Sequence, residues 1–281
     1  MIISVASGKG GTGKTTISTN LAWSLGSEAR LLDCDVEEPN SHLFLKPKIE
    51  VTDTISVMVP KVDEDKCTYC GKCADICRFN AITVLPESIL TFPQLCHSCY
   101  GCIEVCPEKA ITEGKREIGV IDMGHRDHLK FVNGRLKIGE AMSPPLIKRV
   151  RDHTTAELIN IIDAPPGTSC PVIAATKGVD FVLLVTEPTP FGFHDLQLAV
   201  EVVRTMNIPC GLVINRSDIG DSCVKDYAEK ENIPILMEIP FDRRIAEIYS
   251  KGKLIVEEIP EQKKNFLSLF DKIKKIIRNN S

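Results

Sequence analysis

Twelve cysteines occur in this 281-residue chain, and eight of them crowd into the 40 residues from Cys67 to Cys106. The crowding has an internal period. "CTYCGKCADICRFNAIT", starting at Cys67, lies over "CHSCYGCIEVCPEKAIT", starting at Cys96, an offset of 29 residues. The match continues past the cysteines and pairs Ala81-Ile82-Thr83 with Ala110-Ile111-Thr112. Each copy reads C-x2-C-x2-C-x3-C, the spacing in which three thiolates wrap one cubane cluster and the fourth reaches across to its neighbour. The expected ligand sets are Cys67, Cys70, Cys73 and Cys106 for one 4Fe–4S cluster, and Cys96, Cys99, Cys102 and Cys77 for the other.

This segment resembles a bacterial two-cluster ferredoxin. It departs from that pattern once: Pro107 follows the last cysteine of the second copy, but Arg78 follows that of the first. Proline there shapes a turn and ligates nothing, so Arg78 is expected to shift the local electrostatics without abolishing the cluster. Zinc also takes C-x2-C pairs, but a zinc site does not call for four cysteines twice over with an x3 gap. The apolar stretch before Ser7 is too short for a secretory h-region. Twelve cysteines without an export signal are expected to serve metal or redox chemistry in a reducing cytoplasm, not a disulfide framework. The formal net charge of −4 gives no reason to expect nucleic acid. No run approaches the ~20 apolar residues of a membrane-spanning helix. Residues 62 to 113 carry eight acidic and four basic side chains. A docking partner for this module is therefore expected to present a basic face.

Outside that segment the chain keeps one rhythm. "IISVA" (2–6), "ARLLDC" (29–34), "LINIID" (158–163), "DFVLLVT" (180–186), "CGLVIN" (210–215) and "IPILMEI" (233–239) are short apolar runs. Most stand ahead of helix-like stretches, at 14–26, 193–206, 221–231 and 262–278. Near-continuous apolar strands alternating with helices predict a mostly parallel sheet covered by helices on both faces. "LKFV" and "RLKI", separated by Asn133-Gly134, predict a hairpin. The chain thus reads as an α/β domain formed by residues 1–61 and 114–281. A small α+β ferredoxin-like module, residues 62–113, is inserted in a loop on one side of the sheet. "MVPKVDEDK" and "EGKRE" are the expected joints.

The stretch "SGKGGTGKTT" (7–16) follows the first predicted strand and opens the first predicted helix. "GKGGTGKT" satisfies G-x-x-x-x-G-K-[ST] in the context that a phosphate-binding loop requires. Backbone N–H groups from Gly10 to Thr15 are expected to surround phosphates at the helix N-terminus. Lys14 is expected to reach the β- and γ-phosphates and Thr15 to ligate Mg2+. The predicted nucleotide contacts run through Gly8, Lys9, Gly10, Gly11, Thr12, Gly13, Lys14, Thr15 and Thr16.

A second lysine inside the glycines, Lys9, resembles the signature lysine of the MinD/Mrp-type ATPases, the superfamily that includes the nitrogenase iron protein. The resemblance covers the whole chain, and with its inserted ferredoxin the chain looks most like the Mrp group. It implies a cytoplasmic homodimer closing face to face around ATP. Lys9 would cross to the partner's nucleotide and supply positive charge where the transferring phosphoryl group develops negative charge. By the same resemblance Asp35 in "LLDCDVEEPN" orients the attacking water, with Asp33 in support. Asp163 in "IIDAPPGTSC" holds Mg2+ through water, and Gly167 approaches the γ-phosphate. Asn215 reads the adenine edge, and Pro240 and Asp242 lie near the base. Lys9, Lys14 and Asp35 are the expected catalytic set.

Cys170 stands seven residues after Asp163, where the nitrogenase iron protein places a cluster cysteine at its dimer seam. The second such cysteine is absent from "GEAMSPPL", so Cys170 reads as a buried small residue or a seam thiol. Cys34, Cys210 and Cys223 read as structural, and His125 with His128 as a polar loop. The last helix has apolar residues at 266, 269, 270, 273, 276 and 277 and a net charge of +5 over 262 to 281. Packing on the sheet is expected of it in preference to membrane binding. Three functions remain open: ATP-gated electron delivery, iron–sulfur or metal-cofactor assembly on an apo-protein, and redox-sensing regulation. Closed, crosswise clusters favour the first, and the Mrp resemblance favours the second.

Overall fold

The computed structural model describes residues 1–280. The first half of the chain runs β1 (Ile2–Ala6), α1 (Lys14–Leu25), β2 (Ala29–Asp33), α2 (Ser41–Leu45) and β3 (Lys48–Val62). Short elements follow: α3 (Lys72–Ile76), β4 (Ile82–Leu85), β5 (Ser88–Thr91) and α4 (Gly101–Glu104). The chain returns through β6 (Ile111–Arg126) and β7 (Leu129–Leu136), then α5 (Pro144–Arg151), β8 (Ile159–Asp163) and α6 (Cys170–Thr176). It ends with β9 (Phe181–Thr186), α7 (Pro190–Thr205), β10 (Cys210–Asn215), α8 (Cys223–Lys230), β11 (Ile235–Ile239), α9 (Arg243–Ser250), α10 (Ile255–Glu258) and α11 (Gln262–Asn280).

The sheet order is β11-β10-β9-β1-β8-β2-β7-β6-β3. Every pairing from β11 to β7 is parallel, and only the β7–β6 and β6–β3 pairings are antiparallel. The six apolar runs are strands β1, β2, β8, β9, β10 and β11, and each serves both faces. In β9, Phe181, Leu183 and Val185 enter the core shared with Ile17 and Leu21 of α1 and Phe266, Leu269, Phe270 and Ile273 of α11. Val182 and Leu184 of the same strand enter the opposite core, with Leu146 of α5, Val200 of α7 and Val224 of α8. Period-two alternation between two apolar layers is what produces a continuous apolar strand. The stripe of the last helix packs on the sheet, as predicted.

Two expectations fail. Asn133-Gly134 is no turn: β7 runs straight through it, with Gly134 opposite Ile121 of β6. A Cβ at Gly134 would stand 2.6 Å from Val36 Cγ1 and 2.7 Å from Val150 Cγ2, so glycine is there for packing. The hairpin turns instead at Asp127-His128, where Asp127 has φ of 49°. The charged segments read as joints are also strand. "MVPKV" ends β3 and "EGKRE" lies within β6, paired from Met58 opposite Lys115 to Val62 opposite Ile111. Pro60 can sit in β3 because this strand is the sheet edge and its outward side needs no N–H.

Register decides where residues 63–110 sit. β7 is parallel to β2, so Leu136 marks the carboxyl edge of the sheet, and Leu136 pairs with Gly119 of β6. Residues 111–118 of β6 and their partners in β3 therefore project past that edge as a two-stranded stem. The loop after β1 opens at the same edge.

Candidate nucleotide site and cysteine cavities

Glycine shapes the loop after β1. Gly11 and Gly13 have φ of 82° and 98°, in the left-handed region that glycine enters freely. A Cβ on Gly8 would lie 2.1 Å from the Asp195 carbonyl oxygen. Gly13 precedes α1 and makes no side-chain cap, so the first N–H groups of the helix open into the cleft. That cleft, of about 380 Å³, is lined by Gly10, Gly11, Gly13, Lys14, Thr15, Thr16, Asp35, Asn215, Pro240 and Asp242 among others. Its volume is in the range of small-ligand sites.

Three strand ends converge beneath the loop. Lys14 Nζ donates to Asp163 Oδ1 at 3.0 Å and lies 3.6 Å from Asp35 Oδ2. Burial works against the Lys14 charge, but Asp163 and Asp35 outweigh it and hold the pKa above its ordinary value. Asp163 Oδ2 accepts from Ser41 Oγ, and Asp33 accepts from the backbone N–H groups of Asp35 and Ser41. Burial, then the Asp163 charge, raises Asp33 to about 7. Burial is also the main reason that Asp35 is raised to about 6. Three carboxylates share one lysine here, which leaves an unmatched negative charge of the kind that a divalent cation neutralises.

Lys9 does not line the cleft. Its Nζ donates to Glu187 Oε1 at 2.6 Å, and Arg216 Nη1 approaches Glu187 Oε2 at 3.2 Å. Asn215 Nδ2 donates to the Thr12 carbonyl at 2.9 Å, tying the end of β10 to the loop. Asp242 caps α9 by accepting from the Arg244 N–H, and it pairs with the Arg244 side chain. Glu187 and Ser41 were not legible beforehand. Glu187 lies 178 residues from Lys9, and Ser41 lies 122 from Asp163, with no motif spacing to link them.

The cysteines sort into two cavities. One is lined by Cys67, Cys70, Cys73 and Cys106, the other by Cys77, Cys96, Cys99 and Cys102. The 29-residue period recurs in the backbone. Tyr69, Gly71 and Asn80 have positive φ, and so do Ser98, Tyr100 and Lys109. The N–H of Ala81 donates to Cys77 Sγ and that of Ala110 to Cys106 Sγ, each at 3.3 Å. Left-handed residues turn the chain around each cavity and aim amides at sulfur. Among the described residues no three His, Cys, Asp or Glu side chains converge to hold a single ion.

The other four cysteines stay apart from these cavities. Cys170 is exposed at the start of α6, which removes the buried-residue reading of this thiol and leaves the other one untouched. Cys34 is fully buried, and burial pushes its thiol up. Burial likewise raises Cys210, and raises Cys223 to about 11. His125 Nδ1 lies 3.5 Å from Glu50 Oε1 at the end of β6, in strand and not loop. No helix among the described residues is long and apolar enough to cross a membrane.

The parallel sheet and the loop that ends β1 define a P-loop nucleotide-binding protein. The chain belongs to the CobQ/CobB/MinD/ParA nucleotide binding domain family, which matches residues 3–255. An uncharacterized protein of Methanocaldococcus jannaschii is 33% identical over 283 residues, 99% of this chain and 98% of the other. An iron-sulfur cluster carrier protein of Pyrococcus horikoshii is 25% identical over 293 residues, covering 96% of this chain and 84% of that protein. Among solved structures, the septum site-determining protein MinD of Pyrococcus horikoshii, complexed with Mg-ADP, superimposes with a TM-score of 0.61. It is 21% identical, with 98% of this chain and 96% of that chain covered.

Proposed function

We propose that this chain is an Mg-dependent ATPase that dimerises around ATP, carries two 4Fe–4S clusters in residues 62–113, and couples its nucleotide cycle to electron delivery. The sorting of eight thiols into two crosswise cavities carries the reading. A ring of thiols spread round a cavity wall suits a cubane, in which each thiolate meets a different iron, better than zinc, whose ligands meet at one point. When bound, such clusters supply one-electron transfer.

At the nucleotide site the roles follow from charge. Lys14, held at the mouth of α1, meets the β- and γ-phosphates. Thr15 and Asp163 hold Mg2+, Asp163 through water and steadied by Ser41. Asp35 orients the attacking water, with Asp33 fixing the turn that carries it. Lys9 leaves Glu187 to reach the nucleotide of the second subunit. Asn215, Pro240 and Asp242 border the base. The module stands off the carboxyl edge of the sheet, where the loop also opens, so closure around nucleotide and presentation of the module occur on one side of the molecule.

A second reading, cluster transfer to an apo-protein, is favoured by the relative named as an iron-sulfur cluster carrier and by the exposure of Cys170. Anaerobic iron and sulfide analysis with EPR, with and without Mg-ATP, separates the two. Electron delivery predicts about eight irons per chain and spectra indifferent to ATP. Iron beyond that number that is lost on Cys170→Ser, or iron released to an apo-acceptor with ATP, moves the assignment to the carrier. Fewer than four irons refutes both.

A further inference from the structure

The two cavities are internal controls for one another, because all four cysteines of each, and most of the residues beside them, have a counterpart 29 positions away on the wall of the other. Ligands and backbone obey that symmetry, but the rims do not. On the wall formed with Cys77, Cys96, Cys99 and Cys102, Ile76 is 45% exposed, Phe79 40% and Tyr100 42%, and in the segment that leads into Cys96, Phe92 is 41% and Leu95 50% exposed. At the equivalent positions of the repeat stand Val105, Glu108, Asp63, Lys66 and Gly71, of which Glu108 and Gly71 line the other cavity. Residues 88 to 103 contain no Asp, Glu, Lys or Arg at all, so the acidic excess of the module lies elsewhere, chiefly at Asp63, Glu64, Asp65, Glu87 and Glu108. Phe79 stacks on His97 with ring centroids 3.6 Å apart, which fixes a flat aromatic face beside the thiols. Cys99 is exposed within this rim.

A cluster of exposed apolar side chains around a redox-active wall, on a module otherwise acidic, is a docking surface. We propose that this end of the module is the port for a one-electron carrier protein whose own redox centre is rimmed by uncharged, apolar surface. The proposal rests on the reading that the cavities hold 4Fe–4S clusters. One electron passes across the contact: the carrier is oxidised by one equivalent as the module is reduced, and no proton, bond or group changes place. Arg78, exposed between Ile76 and Phe79, is the one charge within residues 76–80 and 88–103, so the contact forms chiefly by desolvation and depends only weakly on salt. A partner with a basic face is steered by charge to the acidic end at the other cavity.

The probe is rubredoxin, a small one-electron iron protein whose metal thiolates surface in an uncharged patch. Cluster-loaded protein is followed by amide hydrogen exchange with and without rubredoxin. Protection is expected in residues 76–80 and 92–100, changing by no more than a few-fold between low and high salt. The double variant Phe79→Glu, Leu95→Lys places at this rim the side-chain types that the repeat already accommodates at Glu108 and Lys66. It is expected to keep its iron content and visible absorption while losing affinity for rubredoxin at least about tenfold. Protection at 63–75 and 104–110 instead, or unchanged affinity of the double variant, overturns the port. So does concentration-dependent protection of the rim in the protein alone, which would assign it to a second copy. An iron content far below eight refutes the cluster reading itself and is scored separately.

Discussion

Replacing Lys14 by methionine keeps most of the side-chain stem and removes the one cation among three buried carboxylates. At an effective dielectric of about 20, charges 3.0 and 3.6 Å apart attract by about 5.5 and 4.6 kcal/mol. Desolvation of the lysine cancels much of that, and stranding the partners of a buried ion pair costs about 3–5 kcal/mol. The penalty depends on pH. Asp33 is raised to about 7 and Asp35 to about 6, both first by burial. The folded protein therefore holds protons that the unfolded chain, with ordinary carboxyls, releases. The stability these groups contribute is complete below about pH 4 and is lost as pH rises through 6 and 7. Lys14 lowers both values, so its removal extends protonation to higher pH. Lys14→Met is thus expected to cost about 3–5 kcal/mol at pH 8 and distinctly less at pH 6. Urea unfolding of nucleotide-free protein measures this through Trp23, the only tryptophan, which lies in α1 beneath the Arg126 guanidinium. A loss under about 1 kcal/mol at pH 8, or one equal at both pH values, would refute the three-carboxylate argument.

Two further outcomes can be checked directly. Lys9→Ala should abolish ATP turnover while leaving nucleotide affinity, read by equilibrium binding of a fluorescent ATP analogue, within a few-fold of the parent. Loss of binding instead would place Lys9 at the nucleotide of its own subunit. Gly134→Ala should cost about 1–3 kcal/mol in the same urea assay, because its Cβ would press into Val36 and Val150. A neutral result would mean that β7 yields at this point.

Much of the site was legible in local patterns, because local chemistry dictates them. The loop from Gly8 to Thr16 needs glycines for its backbone, a lysine for phosphate and a helix to follow, all within ten residues. The cysteine repeat likewise carries its sorting in its spacing. The antiparallel stem was not legible. Lys48–Val62 and Ile111–Arg126 alternate weakly and carry charge along exposed edges, so their apolar signal is diluted, and their pairing spans up to 77 residues. The Asn-Gly pair misled for a related reason. Glycine serves turns and close packing equally well, and only neighbours far along the chain decide between them.

What the sequence determined by itself is the chemistry available: a phosphate-binding loop, two cysteine sets, and apolar runs long enough for a doubly covered sheet. These follow from residues a few positions apart, where spacing is geometry. The tertiary structure alone decided which charges meet. It set Lys9 on Glu187, drew Asp33, Asp35 and Asp163 around Lys14, and carried the cysteine module off the edge where the loop opens. It also gave one cavity wall Phe79 and Tyr100 where the other, with matching backbone, has Glu108 and Gly71. Such pairings depend on sheet order and register, which are fixed by burying two apolar layers over the whole chain and leave no trace in any single stretch of it.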